Sequence, residues 1–341
     1  MKTVHIVIPD LFLPKQLAAY ASKDLRLPAL EKLLARSQGT SLNIDSLESW
    51  LCQQFGVDEL AIAPLMLQAD GVKPQHYYCL RVDPVGISMQ RDQMVLQANL
   101  ALTMEESAQL CASLNTHFAA DDLHFLAPHP QRWYLQLAYR PAIETHHLAQ
   151  VVGADMHAHL PYGVDALRWH SVLNEIQMLF YDHAVNQSRE QRGEAAVNGV
   201  WLWGGGKMTD KVLQPFARVL GDSELAGAFA QASGVPFTND NVSKLPSYLN
   251  EGGDLLVVVE GLRTALQFAD IDSWRNTVQQ IEKNIVMPLL ASLVSGRIGQ
   301  ITLDVLSEGA SRRFVVRRSS MLKFWRFSKP LLHYALVPDS A

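Results

Sequence analysis

Two runs constrain the fold of this chain more than anything else in it: TVHIVI at 3–8 and DLLVVV at 254–259. Each is almost continuously apolar and rich in β-branched residues. A strand of that kind has no polar face for water, so it belongs inside a sheet covered by helices on both sides. Each run ends on a carboxylate, Asp10 just after Pro9 and Glu260 directly after Val259. Ligands of open α/β sheets gather beyond the carboxyl ends of the strands, so both acids stand where a site is built. A turn or cap role would suit Asp10 equally well. A third apolar run, Val200-Trp201-Leu202-Trp203, is expected in the same sheet, with 198–203 as its extent, and it opens into Gly204-Gly205-Gly206-Lys207.

Amphipathic helices are predicted around these strands. Residues 28–37 place Pro28 in a first turn and apolar residues at 30, 33 and 34. Residues 45–55 follow an Asp45 or Ser46 cap, 165–182 end near His183, and 223–233 run from a Ser223 cap to a Gly234 stop. A long helix is expected over 270–294 and a strand over 299–306, with Asp304 near its end. The apolar stretch 58–70 is broken by Pro64. Between 74 and 140 the pattern changes to strand, strand, helix, strand, strand, with Thr103 and Glu106 at capping-box spacing. That order suggests a small α+β domain, 74–140, inserted into a core made of 1–73 and 141–341. Asp83, Arg91 and Asp92 lie close together there and read as a turn ion pair.

The 48% apolar and 18% charged residues are globular composition, and a net charge of −5 gives no overall attraction to nucleic acid or an anionic membrane. Cys52, Cys79 and Cys111 form no metal or CxxC spacing, as in a reduced cytoplasmic protein. MKTVHIVIPD is a strand pattern rather than a signal peptide, and no apolar run reaches the ~18 residues of a membrane span. No membrane and no nucleic-acid partner is therefore expected.

Three stretches carry chemistry. After His183 comes a polar, charged connector with Asn186, Arg189, Arg192 and Gly193, then the GGGK opening. Consecutive glycines let backbone N–H groups approach a ligand, and Lys207 adds charge, though this is not a P-loop; the plainer reading is a core strand and a loop. His146, His147, His157 and His159 form a second group; His157 and His159 share a face if the segment is a strand, without a partner at a recognisable metal spacing. The segment 312–329 carries seven basic residues among Phe314, Phe324, Trp325 and Phe327. It reads as an edge hairpin with charges facing water rather than as a nucleic-acid site.

Taken in order, these elements resemble one family. HAVNQSREQRGEAAVNGVWLWGGGK, 183–207, is similar to the H-P-V-N…R…G…A-N-x-I-W-L-W-G-Q-G segment of archaeal-type, cofactor-independent phosphoglycerate mutases. His183, Val185, Asn186, Arg189, Gly193, Asn198, Trp201, Trp203, Gly204 and Gly206 match, and Gly205 replaces the usual glutamine. VHIVIPD resembles that family's first strand and metal-binding aspartate, LPALEKLLARS its next helix, VDELAIAPLMLQADG its G-S-D-V-A-N stretch, and GGDLLVVVE the strand before its D-E-A-G-H metal motif. DPVGISMQRDQ together with NGVWLWGGGK is closer still to the RpfE-type regulatory proteins of bacteria, a divergent branch of the superfamily. The resemblance implies an alkaline-phosphatase-like α/β fold, a mostly parallel sheet between helices with an inserted cap. In the active family it implies two divalent metals and a serine that carries the phosphoryl group.

The chain departs from that pattern at the reacting groups. The serine position falls on Val57, which has no nucleophile, and the metal motif is replaced by GLRTALQF, 261–268. No histidine lies between His183 and His333, and only Asp304 remains of the final Asp-His pair. Asp10 and Glu260 are the catalytic remnants. The reading is a non-catalytic, anion-binding or regulatory protein with no cofactor. Its expected ligand is a small phosphorylated or carboxylate molecule held by His183, Asn186, Arg189, Arg192, Gly204, Gly205, Gly206 and Lys207. The alternative is a mutase or phosphatase acting through a relocated site, with Mn or Zn on Asp155, His157 and His159.

Overall fold

The computed structural model describes residues 2–57, 61–90, 92–209, 211–239, 245–267, 270–307 and 309–336. The strands are β1 Thr3–Pro9, β2 Gln38–Ser41, β3 Tyr78–Gln90, β4 Gln93–Gln97, β5 His124–His129, β6 Arg132–Leu137, β7 Gly199–Gly206, β8 Arg218–Gly221, β9 Phe237–Asn239, β10 Leu255–Val258, β11 Gln300–Leu306 and β12 Arg312–Arg317. Contacts divide the chain into two compact units, Met1–Gly56 with Val212–Ala341, and Val57–Lys211. The boundaries expected from composition, 74 and 140, both lie inside the second unit.

The first unit is a seven-stranded sheet in the order β2-β12-β11-β1-β10-β8-β9. β11, β1, β10, β8 and β9 run parallel, and β12 and β2 add antiparallel strands at one side. The two apolar runs are neighbours at its centre, with Val4 opposite Leu255 and Val7 opposite Val258. Their side chains enter one core with Leu30, Leu33, Trp274, Val278 and Leu289 from flanking helices. The helix Leu47–Phe55 starts on Ser46, whose hydroxyl accepts from the Ser49 N–H at 3.1 Å. Ser223 caps Glu224–Ser233, and Gly234 ends it at φ 72°. The predicted long helix is continuous but contains a π-turn at Glu282–Val286, just before Pro288. Proline cannot donate an N–H to the helical ladder, and a wider turn accommodates the lost bond.

The second unit is antiparallel: β4-β3-β6-β5 form one path, and β7 pairs with β3. Its helix Met104–His117 opens on the Thr103–Glu106 capping box. The third apolar run is therefore not in the sheet of β1 and β10, as expected above. β7 lies against β3 with Trp201 opposite Asp83, so DPVGI and VWLW are adjacent strands. A buried apolar strand advertises that it is covered, but its sequence does not name its neighbour. The polar, charged connector after His183 contains the helix Ala184–Gln191.

Candidate functional site

In the first unit the carboxyl ends of β1 and β10 carry Asp10 and Glu260, and one guanidinium joins them. Arg263 Nε lies 3.5 Å from Asp10 Oδ2, and its Nη1 lies 3.2 Å from Glu48 Oε1 and 3.6 Å from Glu260 Oε1. Asp10 has φ 59°, a left-handed conformation aspartate tolerates better than most residues. Its N–H bonds Leu306 O at 2.9 Å and its carbonyl accepts from Trp274 Nε1 at 3.1 Å, so the turn is fixed from two sides. Asp222 accepts from the N–H groups of Glu260 and Gly261 at 2.7 and 3.0 Å, which closes the start of the helix Gly261–Gln267.

These acids outnumber the cation among them. Burial, opposed by Arg263 and reinforced by Glu48 and Asp222, pushes the Glu260 carboxyl up to about 7. Burial also raises Asp10 above the usual carboxylate range, again against the pull of Arg263. Arg263 keeps its charge: its own burial is outweighed by Glu48, Glu260 and Asp10.

Asp304, the remaining acid of the β11 region, is fully engaged. Oδ2 accepts from His5 Nε2, Trp50 Nε1 and Arg313 Nη2 at 2.8, 2.7 and 2.7 Å, and Oδ1 from Arg313 Nε at 2.8 Å. Burial opposes its ionisation, yet the bonds from Arg313 and His5 hold its carboxyl below the usual range.

A pair of divalent ions does not fit these residues. The carboxylates at the strand ends are paired with a guanidinium. Both Asp304 oxygens are taken. Val57, at the expected serine position, is buried. Among the described residues no group of three or more His, Cys, Asp or Glu side chains is arranged to hold a metal.

The residues expected to bind an anion all lie in the second unit, and most of them have a local use. His183 caps the helix Ala184–Gln191, its Nδ1 accepting from the Val185 N–H at 3.2 Å. A neutral imidazole that accepts at Nδ1 carries its proton at Nε2, so it donates to Ser113 Oγ at 2.9 Å and cannot serve there as a base. Asn186 is buried, bonded to Phe180 O, Val197 O and Val197 N–H. Arg189, whose side chain is 1% exposed, meets Glu106 at 3.0 Å, Glu194 at 3.3 Å and the carbonyls of Ala195 and Ala101. Arg192 binds Glu194 and Glu106. The arginines thus face carboxylates of the chain itself, Glu106 among them. Sequence reading had identified Glu106 only as a capping residue.

The glycines also have a place in the sheet. β7 continues through Gly206, which lies opposite Cys79, so the strand does not open into a ligand loop. A Cβ on Gly205 would stand 2.5 Å from Tyr78 Oη and 2.6 Å from Leu80 Cδ2, so the missing side chain admits β3. Lys207 is exposed just beyond the strand. Behind these residues is a network that sequence reading missed. Arg81 reaches Asp83 Oδ1 at 2.9 and 2.7 Å and lies over the rings of Tyr134 and Trp203, while Trp203 Nε1 donates to Asp83 Oδ2 at 2.7 Å. Asp70 takes Arg132 at 3.0 and 2.6 Å and Tyr134 Oη at 2.6 Å. Asp83 is thus paired with Arg81; the expected turn ion pair of Asp83, Arg91 and Asp92 rests on Arg91, which lies outside the described residues.

Asp155, His157 and His159 form a local turn. Asp155 caps the short helix Met156–His159, its Oδ1 3.3 Å from the His157 N–H and Nδ1. His159 Nδ1 faces the Asp155 carbonyl at 3.0 Å, and His146 Nδ1 faces the His159 carbonyl at 3.1 Å. The imidazoles thus spend one nitrogen each on the segment itself and do not converge with the Asp155 carboxylate on a common point.

No family model matches the chain, and no curated protein matches it by sequence. Solved structures do. A cofactor-independent phosphoglycerate mutase from Thermoplasma acidophilum DSM 1728 aligns over 100% of this chain and 96% of its own, at 13% identity and a TM-score of 0.50. The PH0037 protein from Pyrococcus horikoshii aligns over 98% and 92%, at 11% identity and a TM-score of 0.54. At such identities the likeness is one of fold. The chain has the mixed α/β, parallel-rich architecture of these neighbours, an alkaline-phosphatase-like fold.

Proposed function

We propose that the protein is a phosphoglycerate-mutase-like protein without catalysis, acting by binding or regulation in the manner of the RpfE-type branch. The observation that carries this reading is Arg263. It sits within 3.2–3.6 Å of Asp10, Glu48 and Glu260 at the strand ends where an active relative needs ligands for metal. One internal cation is paired with all three carboxylates, so a divalent ion would have to displace it from them. With Val57 in place of a serine, the group that would accept a phosphoryl is also missing. Losing nucleophile and metals together removes several of the largest rate contributions.

The test is conversion of 3-phosphoglycerate to 2-phosphoglycerate with manganese added, using the full chain. No conversion above background is expected; turnover near ~1 per second, the lower end of ordinary enzymes, would overturn the reading. A small phosphorylated or carboxylate ligand would meet Lys207 or Arg192, the exposed members of the expected set. A ligand at ~100 times its Kd should then stabilise the protein by about 2.7 kcal/mol, and Lys207→Ala should reduce that gain. An unchanged melting curve with every phosphorylated three-carbon acid would remove this ligand class.

A further inference from the structure

Beyond β12 the first unit displays four large apolar side chains within six residues. Leu322, Phe324, Trp325 and Phe327 are 74, 77, 60 and 82% exposed. Single exposed apolar residues are ordinary, but a cluster of this size on a surface marks a place where something docks. The segment is fixed at both ends. Met321 packs against the core and its carbonyl accepts from Arg36, Arg326 Nη1 donates to Ser37 O at 2.8 Å, and Leu331 is buried. The apolar side chains are therefore presented by an anchored turn.

The charge around them has one sign. Lys323, Arg326 and Lys329 are interleaved with the apolar residues, and the sequence has no acidic residue between Glu308 and Asp339. Among the described residues no carboxylate is within ion-pair distance of these three cations. Arg326 meets a carbonyl, and Lys329 Nζ lies 2.9 Å from His333 Nε2. The net charge of −5, from which no membrane partner was expected, therefore hides a local patch of opposite sign.

We infer that residues 322–329 form a peripheral anchor for the surface of an anionic lipid bilayer. Leu322, Phe324, Trp325 and Phe327 enter the boundary between headgroups and acyl chains, and Lys323, Arg326 and Lys329 meet lipid phosphates. Amphipathic aromatic rings settle at that depth, and cations beside an anionic surface add attraction. The geometry favours lipid over single-stranded nucleic acid. Successive bases stack on ring faces, whereas Phe324 and Trp325 stand edge to face, 81° apart with centroids at 5.3 Å, and Leu322 has no π-face at all. No helix among the described residues is long and apolar enough to cross a membrane, so this anchor lies on the bilayer. The inference is independent of the catalytic reading above.

The experiment is co-sedimentation of the full chain with vesicles of phosphatidylcholine alone or mixed with phosphatidylglycerol. Binding is expected to the mixed vesicles only, and to weaken as salt screens the charges. Phe324→Ser, Trp325→Ser and Phe327→Ser combined should abolish it, with an unchanged thermal unfolding curve because the replaced side chains are in water. Lys323→Glu alone should lower partition by at least about fivefold, the amount one cation contributes at such a surface. That single change keeps the test decisive if the triple variant fails to fold. The inference is overturned if the wild type ignores anionic vesicles or if both variants bind as the wild type does. It is equally overturned by tighter binding of a single-stranded oligonucleotide through the same residues, or by pelleting without vesicles that the triple variant lacks, which would mean self-association.

Discussion

Arg263 shows how one residue can change what a set of acids does. Without it, Asp10, Glu48 and Glu260 would repel one another in a partly buried place. Breaking a fully buried ion pair by removing one partner costs about 3–5 kcal/mol; here water screens part of the charge, so Arg263→Met should lose about 1–3 kcal/mol in urea unfolding. A loss below about 1 kcal/mol would mean that the acids reach water or protons freely. The deficit should grow with pH. Glu260 titrates at about 7 in the fold against about 4.3 in an unfolded chain. A carboxyl raised in this way contributes stability that is complete below the lower value and is lost as pH rises through the upper one. Manganese should stabilise the variant and leave the wild type unchanged, since only the variant has freed its carboxylates. His183 has the opposite sign. Burial lowers its pKa, so its contribution is present above about 6.5 and is lost as pH falls through the folded value. His183→Asn keeps a capping side chain and should flatten the acid limb of a stability–pH curve; an unchanged limb would place the titrating group elsewhere.

At the scale of elements, what could be read in the sequence was what depends on neighbours along the chain. The Thr103–Glu106 capping box, the Ser46 and Ser223 caps and the Gly234 stop all form as their spacing implies, because each bond closes within a few residues. The apolar runs β1 and β10 pair at the sheet centre as their composition requires. β7 was misplaced because its apolar pattern fits any buried sheet and its partner β3 is over a hundred positions away. The site suffered for the same reason. Arg189 is held by Glu106, and Asp10 by Arg263, at separations no local pattern encodes. The glycine run suggests close approach of a ligand, yet at Gly205 what comes close is the side chains of Tyr78 and Leu80 on β3. Gly221 makes the same point more severely in β8: at φ 135°, an added Cβ would fall 1.8 Å from Val258 O on β10. Gly221→Ala should therefore cost at least about 3 kcal/mol in denaturant unfolding, from overpacking and backbone strain together. A cost under 1 kcal/mol would show that the β8–β10 pair yields easily.

At the scale of the whole chain, each unit has a core of its own. Val4, Leu33, Leu255, Trp274 and Leu303 belong to the first, and Leu80, Leu114, Trp133, Ile176, Phe180 and Leu202 to the second. A unit with its own core can in principle fold alone. The fragment 57–211 should therefore unfold cooperatively by heat, with near-ultraviolet dichroism of packed aromatic residues. The shorter fragment 74–140, the insert suggested by composition, should not. It lacks β7, which leaves β3 with an open edge, leaves Asp83 without the Trp203 N–H, and takes Trp169, Ile176, Phe180, Val200 and Leu202 out of the core. Such a piece keeps secondary structure at most, with exposed apolar surface that binds a hydrophobic dye. Joining Gly56 to Val212 by a short flexible linker should conversely leave the seven-stranded sheet able to fold, because none of its strands comes from 57–211. If instead 74–140 melts cooperatively and 57–211 does not, the composition boundary is the physical one, and the β3–β7 pairing contributes little to holding the second unit together.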